Sequence, residues 1–516
     1  RMIDLLIVLL YFAVIFFMAL RGRSKGEPTA EEYFLSNRNL SWPSIALSTI
    51  ATNVQGYQFL GMMGSAYLYG LAQASLEINA MQGILMAAFI FVPMYLRERI
   101  ITITQFIRAR MGWRVALAYT GANILLFSTI TLGAALFWGA YAAELVFADF
   151  LSVIHEDRLV RVSILIVGLG VFSAVYTYLG GLAAVVKTDI VQFSILFIGG
   201  IVILFVSVHH LGGWADLYAI TGEKMHLHLP ADHDTLPWTH VFGLFLLNIN
   251  YWCANQTVIQ RSLAARSLRQ AQLGLMAGGI MKYFMAVIIV VPGIALYGIL
   301  RDQGGLDDPD MAFPYLVSTY LPVGIKGLIL CALFASLMST VDSTFNSLAT
   351  LWSIDIYKQY LNPGATDNEV VNAGRRTILV TLGTGVTMGL VLLYLKFNNP
   401  EAAFTHTLNE LRYYINCGIV VTICGAAFLV APNHRIALLA FVVTIPLHLL
   451  IIGIFPEMNY FVRAMWVILI ALFFLTLGSR SKWNSWNQLF HYEDQVIRRL
   501  GMVLLLSLGA LHVIFH

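Results

Sequence analysis

The residues best suited to bind a small cation lie in one apolar stretch, where the chain reads MSTVDSTFNS from position 338. Hydroxyl residues recur there at spacings of three and four and therefore share one face of a helix: Ser336, Ser339, Thr340 and Ser343. Hydroxyl oxygens and carbonyls freed by a broken helix are hard, neutral ligands that suit a weakly held Na⁺. Serine and threonine in membrane helices also bond to their own carbonyls or allow close packing, so the stripe alone leaves both roles open.

Four charged residues fall within or at the edge of apolar stretches: Glu77, Asp189, Lys282 and Asp342. A charge inside a bilayer needs a partner, a cation or a proton, and an unpaired lysine there costs about 2.5–3.5 kcal/mol. Glu77 and Lys282 have opposite signs, so either they neutralise each other or each bonds to a polar substrate. Asp189 also fits a solvated acid at a helix end, near Lys187.

The elements that position these residues are membrane-spanning helices. Hydrophobic residues make up 59% of the 516 residues and charged residues 11%, against about a quarter charged in soluble proteins. The sequence predicts an all-α polytopic protein of the cell membrane, embedded in a lipid bilayer. About fourteen transmembrane helices are expected, at 3–20, 42–63, 70–95, 115–147, 161–179, 184–211, 238–258, 270–298, 323–354, 375–395, 402–430, 436–455, 460–478 and 500–515.

The basic residues indicate the orientation of these spans. One set of alternating loops holds 21 of the 31 lysines and arginines, Arg261 among them. The excess of positive charge predicts that this set faces the cytoplasm and that both termini lie outside. The net charge of +3 therefore reports topology, and we expect no nucleic-acid partner and no protein partner.

Two spans are interrupted by polar residues, ATNVQGYQF from position 51 and NINYWCANQ from position 248. Interrupted helices that head two halves are typical of inverted-repeat secondary transporters with a leucine-transporter-like fold. Five spans separate them, so the two halves insert with opposite orientation. The predicted organisation is a first helix and cytoplasmic loop (1–41), a first repeat (42–211), an outer loop (212–237), a second repeat (238–430) and three C-terminal helices (431–516).

Four segments resemble hallmark segments of the sodium–solute symporter family, specifically its sodium/sugar cotransporter branch. They begin at positions 51, 177, 250 and 322 and include TYLGGLAAVVKTDIVQF and NYWCANQTVIQRSLAARS. The resemblance covers residues 3–435 in one register. It implies a transporter rather than an enzyme, with Na⁺ as the coupling ion.

The resemblance also implies roles for individual residues. The shared sodium site matches the carbonyls of Ala51, Val54 and Ser336 and the hydroxyls of Ser339 and Thr340. The sugar contacts match Asn53, Gln58, Glu77, Asn248, Lys282 and Asn409. Tyr251 matches the gate on the cytoplasmic side, and Met62 and Phe404 match two of the three outer gate residues. The third outer position, aromatic in similar proteins, is Leu76 here.

Asp342 departs from the family pattern, which has a small or hydroxylated residue at this position. Some members bind a second sodium ion at a site that matches Asp189, Ser339, Asp342 and Ser343. Three roles for Asp342 stay open: a ligand that strengthens a second cation site, an acid that titrates a proton in place of the second sodium, and a structural partner of a neighbouring polar group.

The expected function is sodium-coupled symport of a neutral sugar, a hexose such as galactose or glucose, by alternating access. A neutral hexose offers hydroxyls that donate and accept, so its site needs amides, a carboxylate and an ammonium together. A cation channel would not need such an enclosed site. Myo-inositol, another polyol, sialic acid and an uncoupled sugar sensor remain alternatives. The fourth span lacks the arginine that meets the substrate carboxylate in sialic-acid members, which argues against sialic acid.

Overall fold

The computed structural model describes residues 2–21, 23, 26–55, 58–398 and 404–516, with the backbone alone for 310, 404–407 and 409. The regular secondary structure of these residues is nearly all helical. The helices before residue 212 are α1 Met2–Arg21, α2 Ala30–Leu35, α3 Trp42–Asn53, α4 Met63–Tyr69, α5 Ser75–Ile78, α6 Ala80–Met86, α7 Val92–Arg97, α8 Ile103–Met111, α9 Trp113–Leu126, α10 Leu132–Leu151 and α11 Arg158–Leu211.

The remaining helices follow with few long connections. They are α12 Trp214–Thr221, α13 His240–Asn248, α14 Gln256–Leu263, α15 Leu268–Leu300, α16 Ala312–Tyr320, α17 Ile325–Thr350, α18 Asp367–Asn398, α19 Phe404–Phe428, α20 His434–Ile454, α21 Tyr460–Ser479, α22 Trp486–Leu489 and α23 Gln495–Ile514. Several helices are joined by wider π-helical turns, at Gln58–Met62, Ala87–Phe91, Phe127–Thr131, Ile249–Cys253 and Leu351–Leu361. Tighter 3₁₀ turns lie at Ser36–Arg38, Gly70–Ala74, Gly222–Lys224 and Pro309–Met311.

The second predicted span is interrupted where the polar sequence suggested. Helix α3 ends at Asn53, and Val54 is extended, with φ −77° and ψ 110°. Helical structure resumes at Gln58 as a π-helical turn that leads into α4. The last carbonyls of a helix have no partner within it, so this break presents carbonyl oxygens to the helices packed around it.

The seventh predicted span is interrupted in the same way. A π-helical turn follows α13, and Asn255 then adopts an extended backbone with φ −90° and ψ 114°. The Asn255 side chain accepts from the backbone N–H of Thr257 at 2.9 Å and so caps α14. Asparagine is a favoured residue at this capping position, which is why α14 starts here as a separate helix.

The fifth and sixth predicted spans form one continuous element with a bend. Helix α11 has 54 residues, a length of about 81 Å at about 1.5 Å per residue, more than twice the thickness of a bilayer core. Gly181 interrupts it with φ +56° and ψ −146°, and a Cβ there would lie 2.3 Å from the carbonyl oxygen of Tyr33. The bend falls between the predicted spans 161–179 and 184–211.

Among the described residues, 11 helical segments are long and apolar enough to cross a membrane. The predicted number is higher because the sequence divides the element at Arg158–Leu211 into two spans. It also counts the interrupted spans at α3 and α13, whose helices are too short for this criterion. The exact number of fourteen and the division into repeats stay predictions.

Helix α17 lies at the centre of the molecule. In the most apolar 18 residues of the segment Ile325–Leu361, which begins with α17, 94% of the residues are buried, whereas in those of α23 22% are buried. Asp4 of α1 accepts from the backbone N–H groups of Gly324 and Gly327 at 2.8 Å each, which stabilises the start of α17. The polar side chains of α17 therefore face protein on all sides, and each one needs a partner there.

Candidate substrate and cation site

Glu77 and Lys282 form a buried ion pair between α5 and α15. Their side chains are 5% and 2% exposed, and the ammonium also donates to the side-chain oxygen of Asn53 at the end of α3. The Gln58 amide donates to the other carboxylate oxygen of Glu77 at 3.2 Å. The sequence left open whether Glu77 and Lys282 neutralise each other or bond to a substrate, and in this structure they neutralise each other. Four predicted sugar contacts, Asn53, Gln58, Glu77 and Lys282, thereby form one cluster.

The chemistry of this cluster suits an uncharged polar ligand. Its two charges cancel, and the two amides add both donors and acceptors next to them. A hydroxyl that enters the cluster can donate to the carboxylate and accept from the ammonium. Hydrogen bonds to charged groups contribute about 1.5–3 kcal/mol each, more than bonds between neutral groups.

Asn248 lies in a neighbouring polar group and not in the Glu77–Lys282 cluster. Its amide donates to the carbonyl of Asn79 at 3.0 Å and to the side chain of Gln82 at 3.3 Å. The side chain of Asn79 is in turn bonded to His512 of α23, at 2.9 Å. The sequence analysis missed Asn79 and Gln82, although both follow Glu77 within about one or two helical turns.

The predicted gate residues are described in part. Met62 is buried, and Tyr251 is half-buried with its ring 5.0 Å from that of Trp252 in an edge-to-face contact. The side chains of Phe404 and Asn409 lie outside the described part of the structure, so their gating and sugar-binding roles stay predictions.

The serine stripe of α17 faces the break after α3. The hydroxyl of Ser336 donates to the carbonyl of Val54 at 2.8 Å. Thr340 contacts the carbonyl of Thr52 at 3.3 Å, and Ala51 is buried one residue earlier. Carbonyls of an unwound helix together with hydroxyls are the ligands typical of Na⁺ sites in such transporters. The structure thus brings Ser336 and Thr340 to the end of α3, whereas the hydroxyl of Ser339 donates to Asp189.

Asp189 is the centre of a second buried ion pair. Its carboxylate accepts from Ser48 and Ser339 at 2.5 Å each and from the Arg261 guanidinium at 3.2 Å. Both charged side chains are 0% exposed. Asp189 is therefore not a solvated acid beside Lys187, whose ammonium donates to the backbone of Arg21 at 2.8 Å.

The assignment of Arg261 to a cytoplasmic loop is corrected by the structure. Helix α14 carries this arginine inward, where it donates to Ser48 at 2.9 Å, to Ser343 and to the carbonyl of Thr257. The prediction of orientation from basic residues assumes that every arginine near the end of a span is exposed in a loop. Here the direction of the side chain is set by the packing of α14 against α3 and α17.

Asp342 completes this second cluster. It accepts hydrogen bonds from the phenol of Tyr176 and, at 3.3 Å, from the hydroxyl of Ser343. It also interacts electrostatically with Asp189 and Arg261. The second cluster therefore holds two carboxyl groups and one guanidinium, one more acidic group than basic groups. That imbalance favours a cation.

Three partners in the second cluster were missed from the sequence: Ser48, Tyr176 and Arg261. The sequence did contain one signal that such partners exist, because the acids Asp189 and Asp342 need partners within the membrane. Among the described residues, no three His, Cys, Asp or Glu side chains are grouped so as to hold a metal ion.

Comparisons with known proteins agree with this geometry. The model of the sodium:solute symporter family matches residues 33–399. The sodium/glucose cotransporter of Vibrio parahaemolyticus is 32% identical over 409 residues, 74% of this chain and 73% of that protein. Sodium/myo-inositol cotransporter 2 of Homo sapiens is 30% identical over 414 residues, 73% of this chain but 59% of that longer protein.

A solved structure shows the same fold. A substrate-bound, outward-open Na⁺-coupled sialic acid symporter superposes with a TM-score of 0.80 at 18% identity, over 94% of this chain and 99% of that one. This likeness confirms the predicted fold class, an all-α polytopic membrane protein of the leucine-transporter-like type. The family match confirms Na⁺ as the coupling ion. The chain belongs to the sodium:solute symporter family.

Proposed function

We propose that this protein carries a neutral sugar, a hexose such as galactose or glucose, into the cell together with Na⁺. The observation that carries the proposal is the buried, charge-balanced pair of Glu77 and Lys282, flanked by the amides of Asn53 and Gln58. The name of the Vibrio parahaemolyticus relative, a sodium/glucose cotransporter, supports the same class of substrate.

Sodium binding would prepare the sugar site. Na⁺ would bind between α3 and α17, at the carbonyls of Ala51, Val54 and Ser336 and at the hydroxyls of Ser339 and Thr340. The same end of α3 carries Asn53, which contacts Lys282. An ion that orders this end therefore orders a sugar contact as well, and each solute raises the affinity for the other by the same factor.

Transport would follow from movement of the two predicted repeats, 42–211 and 238–430. Met62 and Phe404 would close the site from the outside, and Tyr251 from the cytoplasm. Rocking of the repeats about the midplane site would then expose Na⁺ and sugar first to one side and then to the other. Asn248 and Asn409 would complete the sugar contacts in the loaded state.

Asp189, Ser339, Asp342 and Ser343 would form a second cation site. The presence of two carboxyl groups with a single guanidinium supports this role of the three left open for Asp342. The bond from Tyr176 supplies the structural partner that the third role required, and a bonded carboxylate keeps lone pairs free for a cation. The proton-titrating role remains the alternative to be tested.

Myo-inositol is the second candidate substrate. It is a neutral polyol, so it fits the same charge-balanced cluster, and the human relative is named for it. Sialic acid fits less well because its carboxylate needs an unpaired cation, whereas Lys282 is already paired with Glu77.

Uptake into proteoliposomes tests the proposal. Radiolabelled glucose, galactose, myo-inositol and sialic acid are offered with an inward Na⁺ gradient or an equal K⁺ gradient. We expect Na⁺-dependent accumulation of a hexose, and its loss in Glu77→Gln. Accumulation of sialic acid alone, or equal uptake in Na⁺ and K⁺, would overturn the proposed substrate or its coupling.

A further inference from the structure

Arg261 joins four helices through one buried side chain. From α14 its guanidinium reaches Ser48 of α3 at 2.9 Å, Asp189 of α11 at 3.2 Å and Ser343 of α17, and it also bonds to the carbonyl of Thr257 on its own helix. A planar guanidinium is suited to such multiple contacts. The arginine thus connects the second interrupted span with the second cluster, the buried group around Asp189 and Asp342, which is called the cation cluster below.

The groups that hold Arg261 are those that would hold the second cation. Asp189 and Ser343 belong to the proposed second site, and Ser48 shares a carboxylate oxygen of Asp189 with the guanidinium. Two positive charges near one carboxylate repel each other, and the second carboxylate, Asp342, lies near enough to attract a cation. The positions of the guanidinium and of a cation bound to Asp189 therefore conflict electrostatically.

We propose that Arg261 is a tethered competitor of the second cation, and this rests on the proposed function of the cluster. The guanidinium holds Asp189 while α14 is docked on α3, α11 and α17. A Na⁺ ion that binds between Asp189 and Asp342 displaces it and thereby releases α14. Because α14 lies at the predicted cytoplasmic end of the seventh span, this exchange links cation binding to the opening of the cytoplasmic side.

Sodium-dependent thermal stabilisation of the purified protein, without sugar, tests this competition. Wild type and Arg261→Gln are heated in Na⁺ or in choline at equal ionic strength. Removal of the competitor raises the fraction of protein ready to bind Na⁺, so we expect the half-saturating Na⁺ concentration to fall about threefold or more. We also expect Na⁺ to raise the melting temperature of the variant by about twice the wild-type shift or more.

Two further variants separate competition from a purely structural role. Arg261→Lys keeps the positive charge and should respond to Na⁺ like wild type. Arg269→Gln removes the nearby arginine of an exposed ion pair with Asp494 and should not change the response. A loss of stability in Arg261→Gln that Na⁺ restores no better than in wild type would overturn the proposal.

The test remains decisive if Arg261→Gln does not fold. Ser48→Ala then replaces it, because Ser48 is not a proposed cation ligand and its loss removes one hydrogen bond that holds the guanidinium. A lower half-saturating Na⁺ concentration in Ser48→Ala than in wild type supports the competition, and an equal or higher one contradicts it. These measurements contain no sugar, so they stand even if the uptake screen rejects the proposed substrate.

Discussion

Two buried ion pairs lie in the interior of this protein, and they differ in what surrounds them. Glu77 and Lys282 are flanked by the amides of Asn53 and Gln58 and balance each other's charge. Asp189 and Arg261 are flanked by hydroxyls, and a second carboxylate lies beside them. The first pair suits a neutral ligand with hydroxyls, whereas the second has a further carboxyl group beside it that suits a cation.

The comparison shows that charge balance and the flanking groups together indicate the ligand. A buried pair is costly to break, because the removal of one partner leaves an uncompensated charge that costs about 3–5 kcal/mol. Both pairs therefore hold the helices together as well as offering contacts. Substitutions that keep the shape of a side chain but change its charge separate these two roles best.

The largest effect is expected from the loss of the charge at Glu77. Glu77→Gln keeps the shape and one acceptor but removes the partner of Lys282, so sugar binding should weaken by about tenfold to a hundredfold, as expected for a hydrogen bond to a charged group. Gln58→Ala should weaken it less. Calorimetry in saturating Na⁺ measures both. Sugar affinity within about twofold of wild type in both variants would place the sugar elsewhere.

Glu369→Gln is the matched control for this substitution, because Glu369 is exposed and its carboxylate accepts within its own turn, from Thr366. It should bind sugar like wild type. Sodium-dependent stabilisation should persist in Glu77→Gln, since its cation ligands lie on α3 and α17. Loss of the Na⁺ response in that variant would mean that the two clusters are not separate sites.

A smaller effect is expected at the shared sodium site. Thr340→Val and Ser339→Ala each remove one hydroxyl ligand, so the Na⁺ concentration for half-maximal uptake should rise about fivefold, equivalent to about 1 kcal/mol per hydrogen bond. Thr344→Val is the control, because its hydroxyl donates to the carbonyl of Thr340 on the same helix, at 2.7 Å. An unchanged Na⁺ dependence in both test variants, at normal expression, refutes the assignment.

Asp342 should affect the number of cations and not the choice of sugar. Asp342→Ala removes the second carboxylate of the cation cluster, so the Hill coefficient for Na⁺ or the charge moved per sugar should fall while the order of sugar preference stays the same. Currents recorded together with sugar flux at several pH values measure this. If Asp342 titrates a proton instead, Asp342→Asn should flatten the pH dependence and leave the sodium stoichiometry unchanged.

The smallest effect on uptake is expected from the loss of an exposed ion pair, which serves as the comparison for the two buried pairs. Arg269 and Asp494 are 44% and 36% exposed. The backbone N–H of Ile497, and then Arg269, lower the pKa of Asp494. The resulting stabilisation is present above the usual pKa of aspartate and is lost only as the pH falls through the lowered value. Because an exposed ion pair contributes little to stability, Arg269→Gln should leave uptake unchanged near neutral pH.

Much of the fold could be predicted because apolar length and polar interruptions are properties of single segments. The limits of α1, α20 and α21 agree within a few residues with the predicted spans. The hydroxyl spacing on α17 likewise placed Ser336 and Thr340 on the face that meets α3. In each case the pattern of residues within one segment was sufficient for the prediction.

Contacts between distant segments could not be predicted in this way. The side chain of Arg261 turns inward because α14 packs against α3 and α17, and its position in the sequence beside a span end suggested the opposite. The bond between Tyr176 and Asp342 joins residues 166 positions apart. The pairing of Glu77 with Lys282 also depends on the packing of α5 against α15, which only the structure supplies.

Reciprocal binding is the most direct test of the central claim, that the sodium site between α3 and α17 and the sugar site at Glu77 and Lys282 are coupled through the end of α3. Sugar affinity is measured at low and at saturating Na⁺, and Na⁺ affinity is measured with and without the sugar. The account predicts that each solute strengthens the binding of the other by the same factor. Sugar affinity that is independent of Na⁺, together with Na⁺ affinity that is independent of sugar, would contradict it.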